Sequence, residues 1–462
     1  MAAAKLDIII LAAGQGSRMK SRLPKVLHPL AGRPLLAHVI DTARSLKPER
    51  IIVVYGHGGE QVPAAIGGDD LIWVKQEEQL GTGHAVARAM PQVKDGATVL
   101  VLYGDVPLTR QTTLMELAGY GAEAFGLLTV HLDDPTGYGR IVRDQHARVT
   151  SIVEHKDATP EQHRITEVNT GILAVNAGRL RGWLERLNND NAQGEYYLTD
   201  VIAMAVAEGI EIQTTHPDSE MEVLGVNSRA QLAMLERSYQ RQQAEALMAE
   251  GVTVLDPARL EIRGEANIAR DVILDVNVVL VGKVEIGEGV YVGPGCVIKD
   301  SVIGEGVQIQ PYCVIEQARV GAEAKIGPFA RLRPGAELSP DTHIGNFVEI
   351  KNSIVGEGSK INHLSYVGDS DVGARVNIGA GVITCNYDGA NKHRTVIGDD
   401  AFVGSDCQLV APVEVGAGST LGAGTTLTRD APAGELTLSR SKQKSIKGWK
   451  RPTKKGRGTR GE

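Results

Sequence analysis

The chain has 462 residues, 54 of them glycine, a formal net charge of −7 and only 4% aromatic residues. This length predicts two or three domains that can each bury a full core, and the acidic balance argues against a dedicated nucleic-acid-binding protein. We recognise no secretion signal and no apolar stretch long enough to span a bilayer, so no membrane partner is expected. The four cysteines lack metal-type spacing, which predicts reduced thiols in a cytoplasmic protein.

The first predicted element is a buried strand that opens into a glycine-rich loop. Residues 6–11 (LDIIIL) form a continuous apolar run of strand length, and Gly14 and Gly16 follow at once. The backbone N–H groups of such a loop, together with the cations of Arg18 and Lys25, can hold phosphates. The segment lacks the G-K-[ST] of a Walker loop. It therefore predicts a nucleotide-binding strand and loop of another kind.

Strand-like and helix-like segments then alternate as far as residue 102. Helices are predicted at 35–43 and around Ala85, and strands at 51–55, 72–74 and 97–102. Such alternation predicts a mostly parallel, Rossmann-like α/β domain that binds ligands at the carboxyl ends of its strands. Asp105 follows the last of these strands, where a carboxylate can hold Mg²⁺. An aspartate that merely caps a turn is the alternative.

A long helix is predicted after Asn227. It runs for about 23 residues to Glu250, which is about 35 Å at about 1.5 Å per residue, and we interpret it as a rigid connector. The predicted domains are therefore an α/β domain at 1–227, a helical linker at 228–250, a repeat domain at 251–438 and a basic tail at 439–462.

A repeat of six residues dominates the rest of the chain. From Ile262 onward a branched aliphatic residue recurs at every fifth or sixth position, and glycine often follows it. A helix has a period near 3.6 and a surface strand a period of 2, so this period fits neither. It predicts a parallel β-helix with one inward aliphatic per flat side. With Thr384 counted as one, 28 sides make about nine turns, or about 45 Å at about 4.8 Å per turn.

Three features of the repeat region carry possible chemistry. A loop leaves the repeat between Thr384 and Ile397, and loops on rigid scaffolds often carry binding sites. His363 has the pKa class of a general base, although a histidine on a β-helix is commonly a surface or stacking residue. Between Arg440 and Arg460 there are ten basic residues and no acidic one. This tail is either a solvated end or part of a neighbouring site.

Distinctive motifs occur along the whole chain, namely LAAGQGSRMKSRLPK, QLGTGHA, LYGDVPL, DPTGYGRI, EHKDAT, NTGI, NAQGEYYLTD, RLRPGAEL, GNFVEIKNS, NIGAGVITCNYDGANK and FVGSD. In these motifs the chain resembles the bacterial family of bifunctional N-acetylglucosamine-1-phosphate uridyltransferases and glucosamine-1-phosphate acetyltransferases. The resemblance covers essentially the whole length of the chain. It implies acetylation of glucosamine-1-phosphate by acetyl-CoA, followed by uridylyl transfer from UTP to N-acetylglucosamine-1-phosphate. The product would serve peptidoglycan and lipopolysaccharide synthesis. The resemblance also implies Mg²⁺, a left-handed β-helix and a homotrimer that shares its acetyl site between subunits.

The resemblance assigns site residues in both parts of the chain. Arg18 would be catalytic in the first part and His363 would be the base in the second, with Glu349 as a candidate assistant. Mg²⁺ would be bound by Asp105 and Asn227. The nucleotide and sugar would be held by Leu11, Ala12, Ala13, Gly14, Lys25, Gln76, Gly81, Thr82, Tyr103, Gly104, Asp105, Gly139, Glu154, Asn169 and Asn227. The amino-sugar phosphate would be bound by Arg333, Lys351, Tyr366 and Asn377, and acetyl-CoA by Ala380, Asn386, Tyr387, Ser405, Ala423 and Arg440.

Gln15 and Ser17 depart from the family pattern, because relatives often have Lys and Thr there. The backbone of the loop can still hold phosphate, so the implied reaction stands. The departure weakens only a role for the side chain at position 15.

Three other functions fit parts of the sequence. A nucleotidyltransferase with the repeat as a trimerisation scaffold would have no need of His363, Arg333 and Lys351. A zinc hydratase of the carbonic anhydrase kind needs three imidazoles, and His343, His363 and His393 are available but widely spaced. A solenoid interaction protein would have no use for the N-terminal phosphate loop.

Overall fold

The structure is a computed structural model that describes residues 5–452. The chain forms two compact units. The first extends to Glu250 and also includes Asp256–Ala266 and Val279–Gly282, and the second comprises Gly251–Leu255, Asn267–Val278 and the residues from Lys283 onward. No helix in residues 5–452 is long and apolar enough to cross a membrane. The predicted boundaries at 227, 250 and 438 stay predictions, and residues 453–462 of the predicted basic tail lie outside the described residues.

The first unit contains a nine-stranded sheet, a two-stranded hairpin and seven helices within the described residues. The strands are β1 (Leu6–Ala12), β2 (Pro29–Leu30), β3 (Arg33–Pro34), β4 (Arg50–Tyr55), β5 (Leu71–Lys75), β6 (Thr98–Tyr103), β7 (Phe125–His131), β8 (Arg140–Arg143), β9 (Val149–Val153), β10 (Glu167–Asn176) and β11 (Ile212–Thr215). The helices are α1 (Leu35–Ser45), α2 (Gln61–Ile66), α3 (Thr82–Ala89), α4 (Gln111–Glu123), α5 (Ala177–Leu184), α6 (Asp200–Ala207) and α7 (Arg229–Ala249).

The sheet is mostly parallel, as the alternation of segments predicts. Its order is β11-β7-β10-β6-β1-β4-β5, with the β8–β9 hairpin attached to β10. Strand β1 runs parallel to both β4 and β6, whereas β10 runs antiparallel to β6 and β7. Consecutive residues of β1 point to opposite faces, and Ile8, Ile9 and Ile10 are all fully buried. The continuous apolar run of β1 therefore reflects a strand that is covered on both faces.

Helix α7 packs on the first unit along its length. Its cap is Ser228, whose hydroxyl oxygen accepts a hydrogen bond from the Gln231 backbone N–H at 3.2 Å. Leu235 joins a small core with Leu30 and Leu35. Gln240, although polar, is buried, because its amide donates to the Ile262 carbonyl and accepts from the Ile262 N–H, both at 2.8 Å. The predicted helix is confirmed at 21 residues, and its role as a connector stays a prediction.

A buried histidine in α1 predicts acid sensitivity of the fold. His38 Nε2 lies 2.9 Å from the Leu30 carbonyl oxygen. Burial lowers the pKa of His38, and the hydrogen bond to Leu30 opposes this only in part. The unfolded chain therefore binds the proton more readily, so stability should be full above about pH 6.5 and fall as the pH drops below that value. We expect the unfolding temperature of His38→Gln to change less than that of the wild type between pH 7.5 and pH 5.5. Parallel pH profiles for the two proteins would contradict this account.

The second part of the chain is a parallel β-helix. One face is an eleven-stranded sheet made of Thr253–Val254, Ile273–Leu274, Tyr291–Val292, Gln308–Ile309, Lys325–Ile326, His343–Asn346, Lys360–His363, Asn377–Ile378, Phe402–Val403, Thr420–Leu421 and Leu436–Thr437. The other strands form a seventeen-stranded sheet from Leu260–Ile268, Val278–Ile286, Val297–Lys299, Val302–Ile303, Val314–Glu316, Arg319–Val320, Arg331–Leu332, Ala336–Leu338, Glu349–Lys351, Ser353–Val355, Tyr366–Gly368, Ser370–Val372, Ile383–Cys385, Thr395–Ile397, Gln408–Val410, Val413–Val415 and Thr426–Leu427.

The six-residue spacing places its aliphatic residues inside this β-helix. Ile309, Ile326 and Ile344 lie in register on neighbouring strands of one face. Every one of the 28 predicted inward residues is buried, with Ile268 the most exposed at 6%. The parallel β-helix is confirmed, and its left-handedness stays a prediction from the resemblance.

The β-helix has more strands than the pattern predicts. The eleven strands of one face exceed the nine predicted turns, because a strand occurs at each end outside the regular spacing. Val254 lies eight residues before Ile262, and Thr437 lies ten residues after Leu427 and is paired with Leu421. The four cysteines are free thiols, and Cys296, Cys313 and Cys407 are buried.

Candidate active sites

A cavity of about 520 Å³ opens at the carboxyl ends of β1 and β6. The strand ends, the glycine-rich loop and the start of α3 form its wall. Ten residues predicted to hold the nucleotide and sugar line it, namely Leu11, Ala12, Ala13, Gly14, Lys25, Gln76, Gly81, Thr82, Tyr103 and Asp105. The location follows the rule that open α/β sheets bind ligands beyond the carboxyl ends of their strands.

The glycine-rich loop packs closely on Lys25. Gly16 has a φ of +62°, and a Cβ at this position would lie 2.7 Å from the Lys25 Cβ. A side chain at Gly16 would therefore be strained by its backbone and would also displace Lys25. Gly14, in contrast, faces open space. The two glycines thus have different uses, one in shaping the loop and the other in leaving room at the cavity.

Lys25 lies between the two predicted metal ligands. Its ammonium forms an ion pair with the Asp105 carboxylate and lies 3.2 Å from Asn227 Oδ1. The Val226 backbone N–H donates to the Asp105 carbonyl oxygen at 2.9 Å, which holds the Asn227 segment beside Asp105. A carboxylate oxygen and an amide oxygen thus converge on one cation. These hard oxygen donors fit Mg²⁺, which prefers such ligands.

Arg18 offers a second cation at this end of the sheet. It lies in a single 3₁₀ turn, Ser17–Met19, and its side chain is exposed. Among residues 5–452 it has no ion-pair partner. Its guanidinium is therefore available to an anionic ligand.

The remaining predicted residues of the first unit lie outside the cavity wall, and three of them adjoin one another. The Asn169 backbone N–H donates to the Gly139 carbonyl oxygen at 2.9 Å. A Cβ at Gly139 would lie 3.4 Å from Glu154 Oε1. Burial raises the pKa of Glu154, whose carboxylate accepts a hydrogen bond from Thr199 at 3.0 Å. Gly104 links the ends of β6 and β1, because its N–H donates to the Leu11 carbonyl oxygen at 2.9 Å.

The cavity also contains residues to which the sequence assigned no role. These are Val26, Gln79, Ala85 and Glu195, together with Gln15. Gln15 donates from its side-chain amide to Gln79 Oε1 at 3.1 Å. Gln79 lies in the motif QLGTGHA and Glu195 in the motif NAQGEYYLTD. Their place in these motifs was the sequence feature that could have marked them as site residues.

The second candidate site centres on His363, at a corner of the β-helix. His363 is exposed, and its Nδ1 lies 2.8 Å from Asn346 Oδ1. The two residues are paired on neighbouring strands. An amide oxygen can only accept, so Nδ1 carries the hydrogen and Nε2 keeps its lone pair. Glu349 instead accepts from Arg333 at 2.8 Å. Asn346, one turn before His363, was missed because only register reveals the contact.

Two of the four residues predicted to bind the amino-sugar phosphate, Lys351 and Tyr366, lie on the seventeen-stranded sheet, and Arg333 directly follows one of its strands. Lys351 Nζ lies 3.3 Å from Asp369 Oδ2, and the Asn386 amide also donates to Asp369. The Tyr366 hydroxyl lies 3.4 Å from Asn386 Nδ2. Asn377 belongs to the other sheet, where its strand neighbours are Lys360 and Phe402. These candidate ligands therefore occupy two faces of one chain.

The residues predicted to bind acetyl-CoA follow the corner that carries His363. The Gly381 N–H donates to the His363 carbonyl oxygen at 3.3 Å, and the Asp406 N–H donates to the Ala380 carbonyl oxygen at 2.7 Å. The next turn continues the line, because the Gly424 N–H donates to the Ser405 carbonyl oxygen at 2.8 Å. Four steps of about 4.8 Å separate the turn of His363 from that of Arg440, or about 19 Å. A long, narrow ligand fits such a line.

Small residues occupy the same corner of the β-helix, where acetyl-CoA is predicted to bind. Arg440 lies over Gly424, since a Cβ at Gly424 would be 3.7 Å from the Arg440 Cδ. Ala423 lies between Gly422 and Gly424. In the loop that leaves the β-helix, Asn386 is buried and Tyr387 is 60% exposed.

The three histidines of the zinc-hydratase alternative are not gathered into one metal-binding group among residues 5–452. His363 contacts Asn346, and His393 pairs with Asp388 at 2.7 Å. The described residues of one chain therefore give the zinc-hydratase alternative no support.

Two domain families match the chain. The MobA-like NTP transferase domain matches residues 8–158, and the bacterial transferase hexapeptide family (six repeats) matches residues 300–334 and 394–429. The Bifunctional protein GlmU of Ralstonia nicotianae is 61% identical over 450 residues, which cover 97% of this chain and 99% of the relative. The chain belongs to the GlmU family.

Other members of the GlmU family match equally well. The Bifunctional protein GlmU of Azoarcus sp. is 61% identical and covers 97% of this chain and 100% of its own. That of Ralstonia pickettii is 60% identical and covers 97% of this chain and 99% of its own. The predicted family, the two-part fold and the bifunctional character of the enzyme are thereby confirmed.

The two hexapeptide matches lie on either side of an unmatched segment of the β-helix. The hexapeptide match leaves a gap between residues 334 and 394. That gap contains His363, Asn346, Lys351 and the loop after Thr384. His363, Asn346 and Lys351 thus lie between the two matched segments, whereas Arg333, Ser405 and Ala423 of the same candidate site lie within them.

Proposed function

We propose that this chain acetylates glucosamine-1-phosphate with acetyl-CoA and then couples the product, N-acetylglucosamine-1-phosphate, to UTP with release of pyrophosphate. The two steps would occur at separate sites. The observation that carries the proposal is the presence, in one chain, of a phosphate-loop cavity with a Lys25–Asp105–Asn227 cluster and of His363 at the head of a line of small residues. The GlmU relatives support it by their name, which describes them as bifunctional.

Uridylyl transfer needs positioning and neutralisation of charge more than covalent chemistry. A phosphate oxygen of the sugar phosphate attacks the α-phosphorus of UTP, and pyrophosphate leaves from the opposite side. Arg18 and Lys25 supply two cations for these phosphates. Gly139, Glu154 and Asn169 would hold the sugar. Asp105 and Asn227 would hold Mg²⁺, which when bound neutralises charge on the attacked phosphate.

Acetyl transfer needs a base, because the sugar amine is mostly protonated near neutral pH. His363 Nε2 accepts one proton of the ammonium group, and the freed nitrogen bonds to the thioester carbonyl carbon. The carbon–sulfur bond then breaks while a second proton passes from the nitrogen to the sulfur, which releases the coenzyme thiol. Asn346 holds the imidazole with Nε2 free. Arg333 and Lys351 would neutralise the sugar phosphate. Arg440, four turns along, would face the coenzyme phosphates.

A trimer would complete the acetyl site. Asn377 lies on a different face from Lys351 and Tyr366, so a neighbouring chain could bring such faces together. Three exposed rings also line the β-helix: Tyr312, Phe329 and Phe347 stack with centroids 5.3 Å apart. Exposed apolar patches of this kind are typical of interaction surfaces. A homotrimer in the cytoplasm is therefore part of the proposal, and the free thiols support that compartment.

We expect Phe347→Asp to weaken the trimer. Phe347 is 55% exposed and has a φ of +57°, a conformation that aspartate adopts more readily than phenylalanine, so the monomer fold should be kept. Sedimentation velocity should show smaller species for this variant at concentrations where the wild type is trimeric. Met115→Asp, at an exposed position of the first unit, is the control and should stay trimeric. A Phe347→Asp protein that sediments like the wild type would remove the ring stack from the interface.

Gly16→Ala should impair uridylyl transfer selectively. The new Cβ would lie 2.7 Å from the Lys25 Cβ and would push the ammonium away from the phosphates. We expect a loss of about 10²-fold in kcat/KM, since a small misplacement of a catalytic group has effects of that size. Gly59→Ala is the matched control, because Gly59 also has a positive φ but nothing within 4 Å. Similar losses in the two variants would show that backbone strain alone is responsible.

The decisive experiment is a coupled assay with glucosamine-1-phosphate, acetyl-CoA, UTP and Mg²⁺, in which free thiol and pyrophosphate are followed separately. Thiol release should need no UTP. Pyrophosphate release should need acetyl-CoA unless N-acetylglucosamine-1-phosphate is supplied. Pyrophosphate from a sugar phosphate without any thiol release would reduce the β-helix to a scaffold.

A further inference from the structure

Two histidines and a glutamate meet at one edge of the sheet of the first unit. They are His131 at the end of β7, Glu167 at the start of β10 and His216 just after β11, and their ligand atoms lie within 4.8 Å of one another. His131 and Glu167 are directly paired across antiparallel strands, so they project from the same face. The imidazole rings of His131 and His216 meet edge to face with centroids 5.6 Å apart. None of the three belongs to the proposed active sites.

Each of the two rings has a threonine hydroxyl within hydrogen-bond distance of its Nδ1. The Thr129 hydroxyl donates to Glu167 Oε1 at 2.9 Å, so its oxygen is free to accept from His216 Nδ1 at 3.2 Å. His216 therefore carries its hydrogen on Nδ1 and keeps the lone pair of Nε2. His131 Nδ1 similarly lies 3.4 Å from the Thr166 hydroxyl. Metal-binding histidines are commonly held in this way, with one ring nitrogen on a protein hydrogen bond and the other on the ion.

Glu167 keeps one acceptor position for an ion. Its carboxylate is buried and has about four acceptor positions. Arg143 Nε donates to Oε2 at 2.8 Å, Arg143 Nη2 donates to Oε1 at 2.6 Å, and Thr129 uses a third position on Oε1. One position on Oε2 is left. The positive charge of Arg143 keeps the carboxylate ionised but also opposes an added cation, so we expect micromolar rather than tighter binding.

We propose that His131, Glu167 and His216 bind a late first-row divalent ion such as Zn²⁺, at a site distinct from Asp105 and Asn227. Two imidazoles and one carboxylate are a common zinc ligand set with an open fourth position. Imidazole ligands select Zn²⁺, Ni²⁺ or Co²⁺, whereas Mg²⁺ prefers oxygen. The ion would tie β7, β10 and β11 together. Asn169, two residues beyond Glu167, is paired with Thr129, so the site adjoins a strand of the proposed sugar site.

The test is metal binding by the full chain, freed of metal and kept in excess Mg²⁺. Co²⁺ is titrated and followed by its visible absorption, and Zn²⁺ is then added as competitor. We expect one Co²⁺ site with tetrahedral-type absorption that Zn²⁺ displaces. His131→Ala and His216→Ala should each lower the affinity at least about tenfold. His146→Ala, at an exposed turn, is the matched control and should bind as the wild type does.

Stability provides an independent readout. Zn²⁺ should raise the unfolding temperature of the wild type and of His146→Ala, because a ligand bound only by the folded state stabilises it. It should not raise that of the His131→Ala/His216→Ala double variant, whose unfolding temperature without metal checks that it folds. The proposal is overturned if the wild type binds no Co²⁺, or if the double variant keeps the same number of sites at the same affinity.

Discussion

His363→Ala should abolish acetyl transfer and leave uridylyl transfer intact. Without the imidazole no group is placed to take the amine proton, and loss of a general base costs about 10²- to 10⁴-fold in rate. Thiol release from acetyl-CoA measures the first activity. Pyrophosphate release with supplied N-acetylglucosamine-1-phosphate measures the second. Leu364→Ala, at the exposed neighbouring residue, is the control for local disturbance of the corner.

Asn346→Ala tests how the imidazole is held. Because Asn346 Oδ1 lies 2.8 Å from His363 Nδ1, its removal frees the ring to rotate and to exchange tautomers. We expect a smaller loss of kcat than for His363→Ala and a shifted pH profile of acetyl transfer. A pH profile identical to that of the wild type would show that Asn346 acts only through packing.

Loss of both activities in a folded His363→Ala trimer would contradict the separation of the two sites.

Asp105→Ala should have the reverse effect, with uridylyl transfer lost and acetyl transfer kept. The substitution removes the carboxylate that would hold Mg²⁺ and also the ion-pair partner of Lys25. Loss of several kcal/mol of charge stabilisation corresponds to a decrease of about 10²- to 10³-fold in kcat/KM. Asp70→Ala, which breaks an exposed ion pair with Arg44, is the control and should be close to neutral.

Two further comparisons make this result specific. Asp105→Asn keeps the shape of the side chain and removes only its charge, so it should respond more strongly to added Mg²⁺ than Asp105→Ala does. A mixture of Asp105→Ala and His363→Ala should regain the overall reaction, because each protein supplies the step that the other lacks. Failure of the mixture, with both proteins folded and singly active, would mean that the intermediate does not pass through solution.

Local patterns in the chain were sufficient for the elements and for the inward residues. The six-residue spacing predicts 28 inward positions of the β-helix, and all of them are buried, because each short strand presents one inward side chain and the turns repeat. The unbroken apolar run of β1 likewise predicts a strand covered on both faces, because consecutive residues of a strand point to opposite faces of the sheet. The loop between Thr384 and Ile397 interrupts the spacing, and the spacing does not predict the two end strands that contain Val254 and Thr437.

Long-range contacts, in contrast, were decided by the tertiary structure alone. The glycine-rich loop, Asp105 and Asn227 are recognisable one by one, and a family resemblance groups them. The position of Lys25 between two oxygens that lie 80 and 202 residues away is visible only once the chain is folded. The same holds for Asn346 beside His363 and for the cluster of His131, Glu167 and His216. Sequence determines what each residue can do, whereas strand register determines which residues meet, because contacts across distant segments leave no local period.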